Sequence, residues 1–96
     1  MPQRSNETKI KITDEVLKGV FANQMMVAHN REEFTLDFIN SFPPGAIVTA
    51  RVVITPGHAV RILNALKDNI ARYEAAFGKI DSTYAPPPHK KTDFQA

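Results

Sequence analysis

Apolar residues recur at every second position over much of the stretch from residue 9 to 54, and at every third or fourth from 56 to 77. The first spacing belongs to strands, whose side chains alternate between faces, and the second to one stripe of a helix. Lys9-Ile10-Lys11-Ile12 alternates and predicts a short strand, interrupted by Thr13-Asp14-Glu15. A longer strand is predicted over residues 18–29, with Phe21, Met25 and Val27 on one side and Val20, Ala22, Met26 and Ala28 on the other. Asn30-Arg31 suits a two-residue hairpin connection, since Asn tolerates a positive φ. The next run, Glu33-Phe34-Thr35-Leu36-Asp37-Phe38-Ile39, is the clearest strand in the chain. Residues 41–45, ending in Pro43-Pro44-Gly45, predict a loop. A further strand is expected over 46–54, with Val48, Ala50, Val52 and Ile54 on one side and Ile47, Thr49, Arg51 and Val53 on the other.

With Asn30-Arg31 as the turn, His29 faces Glu32, Val27 faces Phe34 and Met25 faces Leu36. The large apolar side chains then gather on one face, as a helix-covered sheet requires. The second face mixes Val20, Ala22, Met26, Ile39, Ile47 and Val53 with Thr35, Asp37, Thr49 and Arg51. It is too apolar for full solvation and too polar for a monomer core. Asn23 falls among inward positions, so it is expected to be hydrogen-bonded where the strand bends.

Thr55 as N-cap and Pro56 at the first helical position open a helix expected to run to Phe77, with Gly78 as the residue that ends it. Such a helix is roughly 33 Å long. Ala59, Leu63, Leu66, Ile70, Tyr73 and Phe77 form its apolar stripe, widened by Ile62. Arg61, Lys67, Asp68, Arg72 and Glu74 take the other side, with Asp68 and Arg72 as an i,i+4 ion pair. The fold class is therefore α+β: an antiparallel three- to four-stranded sheet followed by one long C-terminal helix. One domain is expected over 8–78, between disordered tails at 1–7 and 79–96. The second tail contains Pro86-Pro87-Pro88, either a solvated terminus or a docking peptide in polyproline II form.

Composition narrows the chemistry. The 96 residues include no Cys and no Trp, which excludes disulfide scaffolds, Cys-ligated zinc and thiol catalysis. The 12 basic and 10 acidic residues interleave, so the charge of +2 describes a small excess and not a basic patch. No apolar run approaches the roughly 20 residues that span a bilayer, and Met1 to Thr8 is polar, so a cytoplasmic protein is expected. The domain without its tails buries only about 60% of the surface its unfolded chain exposes. Chains of that size without metal or disulfide often gain stability by association. Self-association through the mixed face, or through a strand edge, is the consequent expectation.

The pattern Lys18-Gly19-Val20-Phe21-Ala22-Asn23, then Glu33-Phe34-Thr35-Leu36-Asp37-Phe38, then Ala50-Arg51-Val52-Val53-Ile54-Thr55-Pro56, His58-Ala59, Asn69-Ile70 and Tyr73-Glu74 through Phe77-Gly78 resembles a family of short prokaryotic proteins. That family is catalogued only as a domain of unknown function, and the likeness covers roughly residues 8–80. It implies a small soluble protein and brings no catalytic residues with it. The layout of a sheet and one long helix also looks like subunits of the SecB-type export chaperones, a likeness of architecture that does not establish function.

Few residues suggest chemistry. His29 and Glu32 flank the first turn, as a cross-strand ion pair or an acid–base pair. Asp37 and Arg51 project onto the mixed face from neighbouring strands. An unpaired buried charge is costly, so they should pair, the alternative being an anion clamp by Arg51. His58, in the first turn of the helix after Gly57, is either a surface residue or part of an anion site. Gly57 itself would answer to close packing or loose capping. His29, His58 and His89 are too scattered to hold a metal, and no cofactor is expected. The candidate interface or binding residues are Asp37, Arg51, Met26, Ile47, Val53 and His58. The expected function is a non-catalytic, self-associating, protein-binding module, adaptor or chaperone-like, whose partners are itself and another protein. The alternative is a nucleic-acid-binding accessory protein using Lys9, Lys11, Lys18, Arg31, Lys90 and Lys91. A small enzyme at an oligomer interface, using Arg51, Asp37 and His29, comes third.

Overall fold

The computed structural model describes residues 8–83. The expectations for residues 1–7 and for the Pro86-Pro87-Pro88 segment lie outside the described residues. Five elements follow in order: α1 (Asp14–Leu17), β1 (Gln24–His29), β2 (Phe34–Phe42), β3 (Gly45–Ile54) and α2 (Pro56–Phe77). The three strands form one antiparallel sheet in the order β1-β2-β3.

The first correction concerns the N-terminal region. Residues 9–12 form no strand, and Thr13-Asp14-Glu15 opens the short helix α1. Alternation makes a strand only where the segment pairs with an edge, and Lys9-Ile10-Lys11-Ile12 pairs with none here. Thr13 explains the helix: its Oγ1 accepts from the Val16 N–H at 3.3 Å, and Asp14 and Glu15 place negative charge in the first turn. Gly19, at φ 73°, turns the chain out of α1. The strand expected over 18–29 therefore begins only at Gln24.

The first hairpin is longer than expected. His29 pairs with Phe34, Val27 with Leu36 and Met25 with Phe38, and the connection has four residues, 30–33. Asn30 closes it with its side chain. Oδ1 accepts from the Glu32 and Glu33 N–H groups at 2.8 and 3.0 Å, and the Asn30 N–H donates to the Glu33 carbonyl at 3.0 Å. A slip of two residues keeps the paired side chains of β1 and β2 on their expected faces, whereas a slip of one would have exchanged them. The second connection is shorter than expected. Phe42 pairs with Gly45, leaving only Pro43 and Pro44, joined by a cis peptide bond, between β2 and β3.

A bulge then divides β3. Phe38 pairs with Ala50, but Ile39 pairs with Val48, which leaves Thr49 as the extra residue. Beyond it the sides of β3 exchange. Val48 and Ala46 join Ile39 and Ser41 on the mixed face, and Ile47 lies opposite Asn40 on the apolar face. The expectation that Ile47 belongs to the mixed face is overturned by that one additional residue.

Helix α2 runs over the residues its stripe predicts. Thr55 Oγ1 accepts from the His58 N–H at 3.2 Å, Pro56 stands in the first turn, and Gly78, at φ 97°, donates its N–H to the Glu74 carbonyl at 2.9 Å. Arg72 and Asp68 pair as expected. What the helix does not do is cover its own sheet. No residue of α2 is buried, and only Pro56, Ala59, Ile62 and Glu74 reach partial burial. Thr55 alone joins β3 to α2, whereas a helix returning over a sheet usually needs a connection of about 2–6 residues. Ile39 is consequently the one buried hydrophobic residue among the described residues.

Candidate self-association surface

The two sheet faces are finished differently. On the mixed face the chain covers itself. Asn23 sits just before β1 and donates its N–H to the Ile39 carbonyl at 2.9 Å. Its side-chain amide then does what the next residue of a strand would have done. Nδ2 donates to the Ser41 carbonyl at 3.0 Å, and Oδ1 accepts from the Ser41 N–H at 2.8 Å. The ladder is thus continued by a side chain while the backbone leaves the edge and crosses β2. Two residues earlier the Phe21 carbonyl has reached β3, where it accepts from Thr49 Oγ1 at 3.3 Å. The same hydroxyl lies 3.2 Å from the Phe38 carbonyl. Ile39, with no exposed surface, lies beneath this crossing, between the buried Asp37 and Ser41.

One row across the mixed face reads Met26, Asp37, Arg51 from β1 to β3. Arg51 forks onto Asp37, with Nε donating to Oδ1 at 2.6 Å and Nη2 to Oδ2 at 2.8 Å. The pairing is direct, not diagonal. The Asp37 side chain is 9% exposed and that of Arg51 is 61% exposed, so the guanidinium lids the carboxylate while facing water itself. The Arg51 hydrogen bonds hold the Asp37 carboxyl below its ordinary pKa, against the opposing effect of burial. The same contact raises Arg51. The carboxylate takes the Nε–Nη2 edge of the guanidinium and offsets its charge, which weakens Arg51 as a clamp for an external anion although its Nη1 edge faces water.

The remaining sequence candidates scatter. Val53, opposite Thr35, shares the mixed face and is exposed, while Ile47 is exposed on the opposite face. His58 is exposed in the first turn of α2, outside the sheet that carries the Met26–Asp37–Arg51 row. His29 stacks on Phe34 with ring centroids 5.3 Å apart, and no ion pair joins it to Glu32, which lies in the turn. Gly57 is not closely approached: a Cβ there would find its nearest neighbour, Arg61 Nη1, at 3.6 Å. Among the described residues no three His, Asp or Glu side chains converge as a metal site would need.

The apolar face is the one left open. Met25, Val27 and Val52 are 43–49% exposed around the half-buried Phe34, Leu36 and Phe38. Leu63, Leu66, Ile70, Tyr73 and Phe77 on the α2 stripe are 45–76% exposed. Tyr73 and Phe77 touch only as a ring pair along the helix, with centroids 5.0 Å apart. The sequence located the helix stripe and, up to the bulge at Thr49, the apolar sheet face, and mated them within one chain; the single-residue junction at Thr55 is what prevents that. Asn23 was legible as a bonded polar residue, but its partner, Ser41, was not. The Thr49 clasp carried no signal, because a bulge leaves no mark in a strand that alternates on both sides of it.

Among the described residues no helix is long and apolar enough to cross a membrane. No match to the chain was found among curated proteins or among solved structures. A family model does match, over residues 1–82, and it spans the capped α1, the Asn23 crossing, the three strands and the whole of α2: the chain belongs to the family described as proteins of unknown function, DUF3467.

Proposed function

We propose that this protein is a non-catalytic, self-associating module that binds protein, adaptor-like or chaperone-like, working in the cytoplasm. The observation that carries the reading is the α2 stripe, held in water along most of its length by a helix with no buried residue. Contiguous exposed apolar surface on this scale marks a docking site for protein. The charged groups support the non-catalytic part: Asp37 and Arg51 are engaged with each other.

Two measurements test the reading. Light scattering coupled to size exclusion, at tens of micromolar, is expected to give a mass of at least two chains; a monomer would refute self-association. A guanidinium-unfolded reporter enzyme diluted into excess protein is expected to aggregate less than in buffer. No suppression would remove the chaperone-like half of the proposal and leave the adaptor-like half.

A further inference from the structure

We infer that the α2 helix of one copy lies across the apolar sheet face of a second copy, and that the second copy returns its own α2 to the first. The inference rests on the self-association proposed above and specifies its geometry: Leu63, Leu66, Ile70, Tyr73 and Phe77 of each chain seat on Met25, Val27, Leu36, Phe38 and Val52 of the other.

Four observations point to this one occupant. First, among the described residues each surface lacks a partner within its own chain. The stripe is 45–76% exposed, and the sheet face holds Met25, Val27 and Val52 at 43–49%. Second, both are free of formal charge. Met25, Val27, His29, Phe34, Leu36, Phe38, Asn40, Ala50, Val52 and Ile54 share the sheet face by register, and none is Asp, Glu, Lys or Arg. The stripe from Ala59 to Phe77 has none either. Mating them leaves no ion dehydrated and unpaired. Third, the other face is not available to a helix, because residues 21–23 already cross it at Ile39 and the Arg51 guanidinium projects from it. Fourth, the dimensions agree. The stripe spans roughly 27 Å of helix and β2 roughly 30 Å of strand.

Reciprocity follows from symmetry. A two-fold contact in which helix meets sheet twice covers all four open surfaces of two chains, and it closes without leaving a surface to recruit a third. Helix against helix would leave both sheet faces wet, and sheet against sheet would leave both helices wet. Five stripe residues at these exposures, with their counterparts on the sheet, give an interface on the order of 2,000 Å² counted over both contacts, the range of obligate dimers.

The chain has no cysteine, so single thiols can be placed without background. Full-length Val27→Cys and Leu66→Cys chains are unfolded and refolded together, then treated with a short bismaleimide, with each variant alone as control. Circular dichroism and light scattering check that every sample is helical and record its mass. Val52→Cys with Ile70→Cys is a second pair, should either variant of the first fail to fold. The expected result is a covalent dimer containing one of each chain, several-fold more abundant than the product from either variant alone. Equal yield from the helix variant alone would overturn the exchange in favour of helix pairing. Equal yield from the sheet variant alone would overturn it in favour of sheet pairing. Either of those results leaves self-association standing. A monomeric mass would overturn both proposals.

Discussion

Asn23→Ala is the perturbation that isolates the crossing over β2. The substitution removes two hydrogen bonds, at 3.0 and 2.8 Å, from a side chain to the backbone of Ser41. It also strands the partner: Ser41 is 8% exposed, so its N–H and carbonyl have little access to water. Each bond has a net worth of about 1 kcal/mol, and an unsatisfied buried backbone group costs about 1–3 kcal/mol. Asn23 itself is exposed, and some solvent can follow it into the gap left by the missing amide. The expected loss is therefore about 2 kcal/mol. Urea unfolding at one fixed protein concentration measures it as a lower midpoint with an unchanged slope. Asn23→Asp sharpens the test. It keeps an acceptor for the Ser41 N–H but turns a carboxylate oxygen toward the Ser41 carbonyl where a donor had stood. It should be no more stable than the alanine variant at neutral pH, and it should recover as acid protonates the carboxyl into a donor. An alanine variant within about 0.5 kcal/mol of the parent, the usual effect of an indifferent surface change, would refute the clasp.

Asp37→Asn should destabilise the protein at neutral pH. Because the folded pKa of Asp37 lies below its unfolded value, the stabilisation is fully present above about pH 4 and is lost as pH falls through the folded value, so parent and variant should converge only in that acid window. A difference that does not change with pH would show that the carboxylate charge is irrelevant. Gly78→Ala places a side chain at φ 97° and ψ 172°, a region nearly restricted to glycine, and should cost about 1–3 kcal/mol by the same urea assay although open space surrounds the site. Gly57→Ala acts in the opposite direction: the helical backbone suits alanine, the new Cβ meets nothing closer than 3.6 Å, and a gain of about 0.4–1 kcal/mol is expected, with a loss contradicting the open surroundings described here.

How far the sequence foretold this molecule is best seen at particular residues. Thr55, Pro56 and Gly78 announced both ends of α2, because capping is a local matter of one side chain and a few backbone groups. The alternation of Phe34, Leu36 and Phe38 announced β2 and its faces for the same reason. The pairing of Asp37 with Arg51 could be anticipated because neighbouring strands place those two residues on one face, whether directly or diagonally opposite. What was hidden depended on counts and on distant partners. The four-residue turn at Asn30 comes from an Asn side chain replacing a glycine turn, which composition does not distinguish. The extra residue at Thr49 moved Ile47 to the opposite face. The length of the junction at Thr55 was visible in the sequence, but its meaning was not: a helix with an apolar stripe beside a sheet with an apolar face suggests contact, and only the geometry of one intervening residue denies it within the chain.

That Ile39 is the single wholly enclosed aliphatic residue among the described residues has an unusual calorimetric consequence. The heat capacity of unfolding follows newly wetted hydrocarbon, commonly about 12–15 cal/mol/K per residue. A solitary chain already wets most of what unfolding would uncover, so its increment must fall well short of that figure, and its melting curve would be broad and shallow. A normal increment in a scanning calorimeter, growing more cooperative with protein concentration, would mean that the missing hydrocarbon is sealed by an encounter between chains.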